Sequence, residues 1–130
     1  MSSANREIVN TEKAPKAIGP YSQAVKTEKM VFVSGQLPLD PTNGALVQDD
    51  IQTETRQVME NLKKVLEASG SSLEQVLKTT LYVTNMDDFP LINEAYGEFF
   101  PENPPARACV EVSRLPKGAN FEVEAVALLK

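Results

Sequence analysis

No histidine occurs anywhere in the chain, and cysteine occurs once, as Cys109. Without histidine there is no Ser-His-Asp triad, no Cys-His dyad and no histidine-ligated zinc. A lone cysteine excludes thiolate metal sites and an internal disulfide framework, and fits a reducing compartment. Neither GxGxxG nor GxxxxGK[ST] is present, so the usual nucleotide fingerprints are missing. No cofactor and no metal are therefore expected. Chemistry has to run on carboxylate, guanidinium, phenol, hydroxyl and backbone groups. No apolar run approaches membrane-spanning length. The opening MSSANREIVNTEKAPKAIGP lacks the apolar core of a secretory signal and carries Glu7 and Glu12, which argues against a transit peptide; a cytosolic location is expected. Basic runs are absent and the net charge is −5, a poor fit to nucleic acid.

What is present suits one domain over 1–130: 42% of residues are hydrophobic, and no repeat, linker or low-complexity run divides the chain. Ser22–Lys26 and Met30–Ser34 read as a hairpin whose second strand is apolar on both faces, stopping at Gly35. Prolines and Asn43-Gly44 make the next stretch loop and turn. Ile51, Thr55, Val58, Leu62, Val65 and Leu66 fall at helical spacing from Asp50, and Gly70 sits at a C′ position. Ser72-Leu73-Glu74-Gln75 has the form of a capping box opening a short turn. Lys78–Asn85 reads as strand. Asp87 and Asp88 can cap a second helix, with Pro90 in its first turn and Phe89, Ile92, Tyr96, Phe99 and Phe100 as its apolar stripe. Arg107–Val112 and Phe121–Leu129 complete a β-β-α-β-α-β-β order. This is an α+β fold with a single mixed sheet backed by two helices. Two helices cover one face only, and the apolar residues of the other face point to a cover supplied by another subunit.

Several polar residues stand out from that frame. In PPARACVEV, Ala108, Val110 and Val112 share one side of the strand, leaving Arg107, Cys109 and Glu111 on the other. Glu111 lies roughly 13 Å from Arg107 along the strand, too far to pair with it. Arg107 is then either a solvated edge residue or a bidentate clamp for a carboxylate, which the guanidinium fork matches. Glu122 opens the last strand, on one face with Glu124, Val126 and Leu128. It is either wet or a partly desolvated base with a raised pKa. Asn93, on the apolar helix stripe, reads as a core amide or a ligand contact. Cys109 reads as an inert buried thiol. Ser34-Gly35 ends a central strand where backbone can approach a ligand, and Tyr21 follows Gly19-Pro20 as packing with a polar tip.

The segments IGPYSQAV, VFVSGQLPLDP, FPLINEAYGEFF and PPARACVEVSRLPKGANFEVEA resemble the RidA/YjgF family of enamine/imine deaminases, over about Pro15 to Leu129. The resemblance implies a chorismate-mutase-like fold, a barrel-like homotrimer with sites between subunits, and no cofactor. It also implies hydrolysis of 2-aminoacrylate and 2-iminobutanoate-type intermediates to 2-oxo acids and ammonia. By the same resemblance Arg107 binds the substrate carboxylate, Glu122 handles the attacking water, and Tyr21, Ser34, Gly35, Asn93 and Cys109 line the pocket. Phe121 departs mildly, standing where aliphatic residues are commoner, and the loop before Arg107 is short.

The chemistry is consistent with those roles. A 2-imino acid is small, planar and anionic, and a bidentate arginine fixes the position and tilt of its carboxylate. A glutamate near the C=N carbon can order water and take its proton. The short Ser113–Asn120 connection implies that the strands of Arg107 and Glu122 run antiparallel, with their first residues at opposite ends of the sheet. One small ligand reaches both only if different subunits supply them. Three other readings use the same residues: a 2-oxo or imino acid binding module without turnover, an endoribonuclease or translation inhibitor, and a chaperone-like structural trimer.

Overall fold

The chain forms β1 (Glu7–Val9), β2 (Ala24–Lys26), β3 (Met30–Gln36), α1 (Ile51–Ala68), β4 (Val76–Val83), α2 (Phe89–Gly97), β5 (Ala106–Glu111) and β6 (Phe121–Leu128). The structure is a computed structural model and describes residues 5–130. The strands form one sheet in the order β1-β2-β3-β6-β4-β5. Among the described residues β4 and β5 are the one neighbouring pair of strands that runs parallel; α2 supplies the crossover that a parallel pair requires. Both helices pack on the same face. Val58, Met59, Leu62, Val65 and Leu66 of α1 and Ile92 and Tyr96 of α2 meet Val31, Val33, Leu81, Val83, Phe121 and Val123 in one core.

Asp50 accepts from the backbone N–H of Thr53 at 2.8 Å and caps α1. At its other end Gly70, with φ +84°, lets Ser71 N–H reach back to Leu66 O at 2.9 Å, a Schellman closure. The loop after β3 is pinned to α1 by Asn61, whose amide donates to Leu37 O and Leu39 O at 2.9 Å each.

Four expectations need correction. The strand β1 was not foreseen; its three residues are too few to show alternation, and pairing with β2 makes it. The central strand does not stop at Ser34 but runs to Gln36 through a register shift after Val33. Ser72 makes no side-chain capping bond, although the 3₁₀ turn Leu73–Gln75 forms. The turn leading into α2 is capped by Asn85, which accepts from Asp87 N–H at 3.0 Å, and not by Asp87 or Asp88.

The face away from the helices carries Ile8, Val25, Phe32 and Val126 along one rung across four strands. Ile8 and Phe32 are exposed there, as are Leu128 and Val110. No helix among the described residues is long and apolar enough to cross a membrane.

Candidate active site

Register decides where the charged residues point. In β5, Arg107 is level with Thr79 of β4 and Cys109 with Leu81, and both β4 residues are fully buried under the helices. Arg107 and Cys109 therefore lie on the helix side, at the sheet edge. In β6 the helix side belongs to Phe121, Val123, Ala125 and Ala127, all buried. Glu122 and Glu124 consequently occupy the open face, level with Tyr82 and Thr80 of β4.

Around Arg107 the geometry is that of a held but unneutralised cation. Its Nη1 donates to Asn93 Oδ1 at 2.6 Å. Its guanidinium lies over the rings of Phe89 and Tyr96, 5.1 and 5.3 Å from their centroids. Among the described residues no carboxylate forms an ion pair with it. The Tyr96 hydroxyl shares a 2.7 Å hydrogen bond with Thr79 Oγ1, and burial pushes its pKa above the usual phenol value. That ring is thus a fixed, neutral wall. Cys109 is half-buried beside this group. Burial raises its thiol pKa, with Arg107 pulling more weakly the other way, so it stays a protonated thiol at neutral pH.

Asn93 is not the core amide that its place in the apolar stripe suggested. It is exposed, and its partner is Arg107. Phe89 and Tyr96 belong to the apolar stripe by spacing, yet their free faces build the arginine's seat. The signal was present: Phe89, Asn93 and Tyr96 recur at i, i+4 and i+7, one face of a helix.

A second group forms where β3 meets β6. The Glu122 carboxyl lies so close over Gly35 that a Cβ there would overlap its Oε2 and stand 2.8 Å from its Cδ. Burial, and then the neighbouring Glu124, raise the pKa of Glu122 above the ordinary carboxylate value. Tyr82 donates to Glu124 Oε1 at 3.1 Å, which leaves Glu122 as the carboxylate without a phenol donor. Ser34 Oγ donates to Ser22 O at 2.6 Å and Ser34 N–H to Gln23 O at 3.0 Å, tying the end of β3 to the segment before β2. Tyr21 is exposed, and its hydroxyl oxygen accepts from Ile18 N–H at 3.2 Å.

The foreseen residues thus fall into two groups, Asn93, Arg107 and Cys109 against Tyr21, Ser34, Gly35 and Glu122. Within one chain they do not meet. Arg107 and Glu122 lie three rungs apart along the sheet with β4 between their strands, roughly 10 Å in each direction, and on opposite faces. The expected opposite ends are observed. The opposite faces were not foreseen.

The endoribonuclease L-PSP family profile matches residues 11–129. A RutC family protein of Pyrococcus horikoshii is 53% identical over 122 residues, 94% of this chain and 97% of that protein. The human 2-iminobutanoate/2-iminopropanoate deaminase is 44% identical over 128 residues, 98% of this chain and 93% of the human protein. Among solved structures, Escherichia coli TdcF with bound serine superposes with a TM-score of 0.91 at 42% identity, over 95% of this chain and 99% of that one. With this fold, and with likeness along almost its whole length, the chain belongs to the endoribonuclease L-PSP family, which includes the RidA/YjgF and RutC proteins.

Proposed function

We propose that the protein is a cofactor-free hydrolytic deaminase that converts 2-aminoacrylate and 2-iminobutanoate-type intermediates to 2-oxo acids and ammonia. The observation that carries this reading is Arg107, held by Asn93 and two aromatic rings with no carboxylate paired to it among the described residues. With one Nη1 proton directed at Asn93, the Nε and Nη2 protons, which have no hydrogen-bond partner among the described residues, are left to serve a ligand carboxylate as a two-donor fork. The serine seen in Escherichia coli TdcF is likewise a small molecule with a carboxylate, and supports a ligand of this class.

Two copies of the chain complete the site, in a homotrimer whose subunits meet at the open sheet face. Arg107, Asn93 and Cys109 come from one subunit, and Glu122, Gly35, Ser34 and Tyr21 from its neighbour. Support comes from the opposite orientation of the two groups and from the exposed apolar rung on the Glu122 face. Enamine substrates enter as their imine tautomers. Water attacks the C=N carbon while Glu122 takes one of its protons and passes it to nitrogen, giving the carbinolamine. The carbinolamine hydroxyl proton then moves by way of Glu122 to the amino group, the C–N bond breaks as C=O forms, and the oxo acid and ammonia leave. A carboxylate with a raised pKa is a better base for that task than an ordinary one.

The test is release of ammonia and oxo acid from enzymatically generated 2-aminoacrylate and 2-iminobutanoate, in the cytosolic pH range where the protein is proposed to act. Acceleration over the spontaneous reaction that disappears in Arg107→Ala is the expected result. Binding of 2-oxobutanoate without any acceleration would replace the deaminase by a sensor. RNA cleavage that persists through rigorous purification would favour the activity in the family's description, which the −5 net charge does not support.

A further inference from the structure

Glu54 is a carboxylate with 1% of its surface exposed and, among the described residues, no cationic partner. A charge in that position is costly unless its oxygens are fully occupied. Both are. Oε2 accepts from the backbone N–H of Asn120 at 2.6 Å and Oε1 from the Asn120 side-chain amide at 3.0 Å. Asn120 is also fastened from the sheet side: its Oδ1 accepts from Thr84 Oγ1 at 3.1 Å and its backbone oxygen from Thr84 N–H at 3.2 Å. One residue thereby joins the first turns of α1 to the end of β4.

Asn120 immediately precedes β6, after a turn with two left-handed residues, Lys117 at φ +63° and Gly118 at φ +76°. That turn has a further tether, Gln48 Nε2 donating to Gly118 O at 2.7 Å. Phe121, fully buried, then locks the strand's facing, and Glu122 emerges on the open face against the Cα of Gly35. The carboxyl rests directly on the Gly35 backbone. A small movement of the start of β6 along or across the sheet would lift the carboxyl off Gly35.

We propose that Glu54 and Asn120 are positioning residues for Glu122: the buried carboxylate–amide clasp sets the start of β6, and through it the seat of the Glu122 carboxyl. This rests on the deaminase reading for its kinetic consequence, but not for its structural one. A carboxylate is needed at 54 because both Asn120 groups are donors. In Glu54→Gln the glutamine amide must point its own N–H at one of them, leaving buried donors face to face. Asn120→Asp on that background supplies the missing acceptor while its second oxygen still accepts from Thr84.

The experiment compares Glu54→Gln, Thr84→Ala and the Glu54→Gln/Asn120→Asp pair with the wild type, at a temperature where circular dichroism shows each fully folded. Each single variant should lose kcat on the order of tenfold, as expected for a sub-ångström misplacement, with KM and 2-oxobutanoate affinity within about twofold. The titration of the Glu122 carboxyl, followed by carbon-13 NMR, should move toward that of an ordinary glutamate. The double variant should recover both. A fall in melting temperature alone, with kcat per folded protein and the Glu122 titration unmoved, would overturn the proposal, as would a double variant no better than Glu54→Gln. If Glu54→Gln fails to fold, Thr84→Ala decides by the same readouts. If the wild type proves to have no deaminase activity, the deaminase reading fails, and the NMR titration alone still tests the link from residue 54 to Glu122.

Discussion

Gly35→Ala separates the placement of the Glu122 carboxyl from the stability of the fold. Gly35 does not use the left-handed region, so alanine meets no backbone penalty there. The added Cβ would stand 2.8 Å from Glu122 Cδ and 3.3 Å from its Cγ, with Oε2 closer still. Carbon atoms in comfortable contact sit at about 3.5–4.0 Å, so the carboxyl has to retreat by about 1 Å. Its end is flexible and half-exposed, so the retreat is cheap, and the loss of stability should stay below about 1 kcal/mol. Catalysis has no such tolerance. A misplacement of about 1 Å can cost on the order of a hundredfold in rate, or about 2.7 kcal/mol of barrier.

The assay is steady-state hydrolysis of 2-iminobutanoate alongside calorimetric binding of 2-oxobutanoate and thermal unfolding. A kcat lowered about a hundredfold is expected, with melting temperature nearly unchanged and binding through Arg107 kept within a few-fold. A Gly35→Ala protein with wild-type kcat would show that the Glu122 carboxyl does not have to be where the structure places it. A protein that no longer folds would show that the carboxyl is not the compliant partner in the contact.

Arg107→Lys keeps the charge but loses the fork and the ring stacking; it should fold normally and lose about 2–4 kcal/mol of transition-state stabilisation, and near-wild-type kcat/KM would refute the clamp. Co-refolding inactive Arg107→Ala and Glu122→Ala proteins should restore part of the activity, since some mixed interfaces regain both groups; a monomer by light scattering, or no activity in verified mixed oligomers, would remove the shared site. Glu122→Gln should lower kcat yet raise the melting temperature at pH 7–8. The folded state raises the Glu122 pKa, so its contribution to stability is fully present below the unfolded value and lost as pH rises through the folded one. A melting temperature lowered by Glu122→Gln at neutral pH would contradict the burial assigned to that carboxyl. For the same reason the wild-type kcat should fall on the acid side at a higher pH than an ordinary glutamate would give.

Much of this arrangement was legible in the residues because it depends on local pattern. Alternation within PPARACVEV put Arg107 and Cys109 on one side of their strand, and the structure keeps them there. The helical spacing that ends at Gly70 produced α1 with the cap and closure that its flanking residues imply. What escaped was long-range. Three residues at Glu7–Val9 become a strand only because β2 offers an edge. Asn93 looked internal because periodicity reports which helix face is apolar, and says nothing about where the neighbouring strand ends. The wall formed by Phe89 and Tyr96 needs β5 at the sheet edge, and the clasp between Glu54 and Asn120 spans 66 positions. No local signal carries such a pairing.

The same distinction explains why the two charged groups part. A strand shows its residues to the two faces in turn, and which parity faces the core is set by pairing, not by the strand itself. Phe121, Val123, Ala125 and Ala127 take the helix side of β6, which forces Glu122 outward. Arg107 lies inward because its partner Thr79 does, at an edge where inward means the rim of α2 rather than the core. No rotamer brings them together, since the sheet itself stands between them. In the proposed trimer, a neighbour's open face lies against the rim that carries Arg107. The contact that removes Ile8, Phe32 and Leu128 from water is then the one that closes the pocket. Hydrophobic association and assembly of the catalytic pair become one event, so a monomer would have neither a covered sheet nor a complete site.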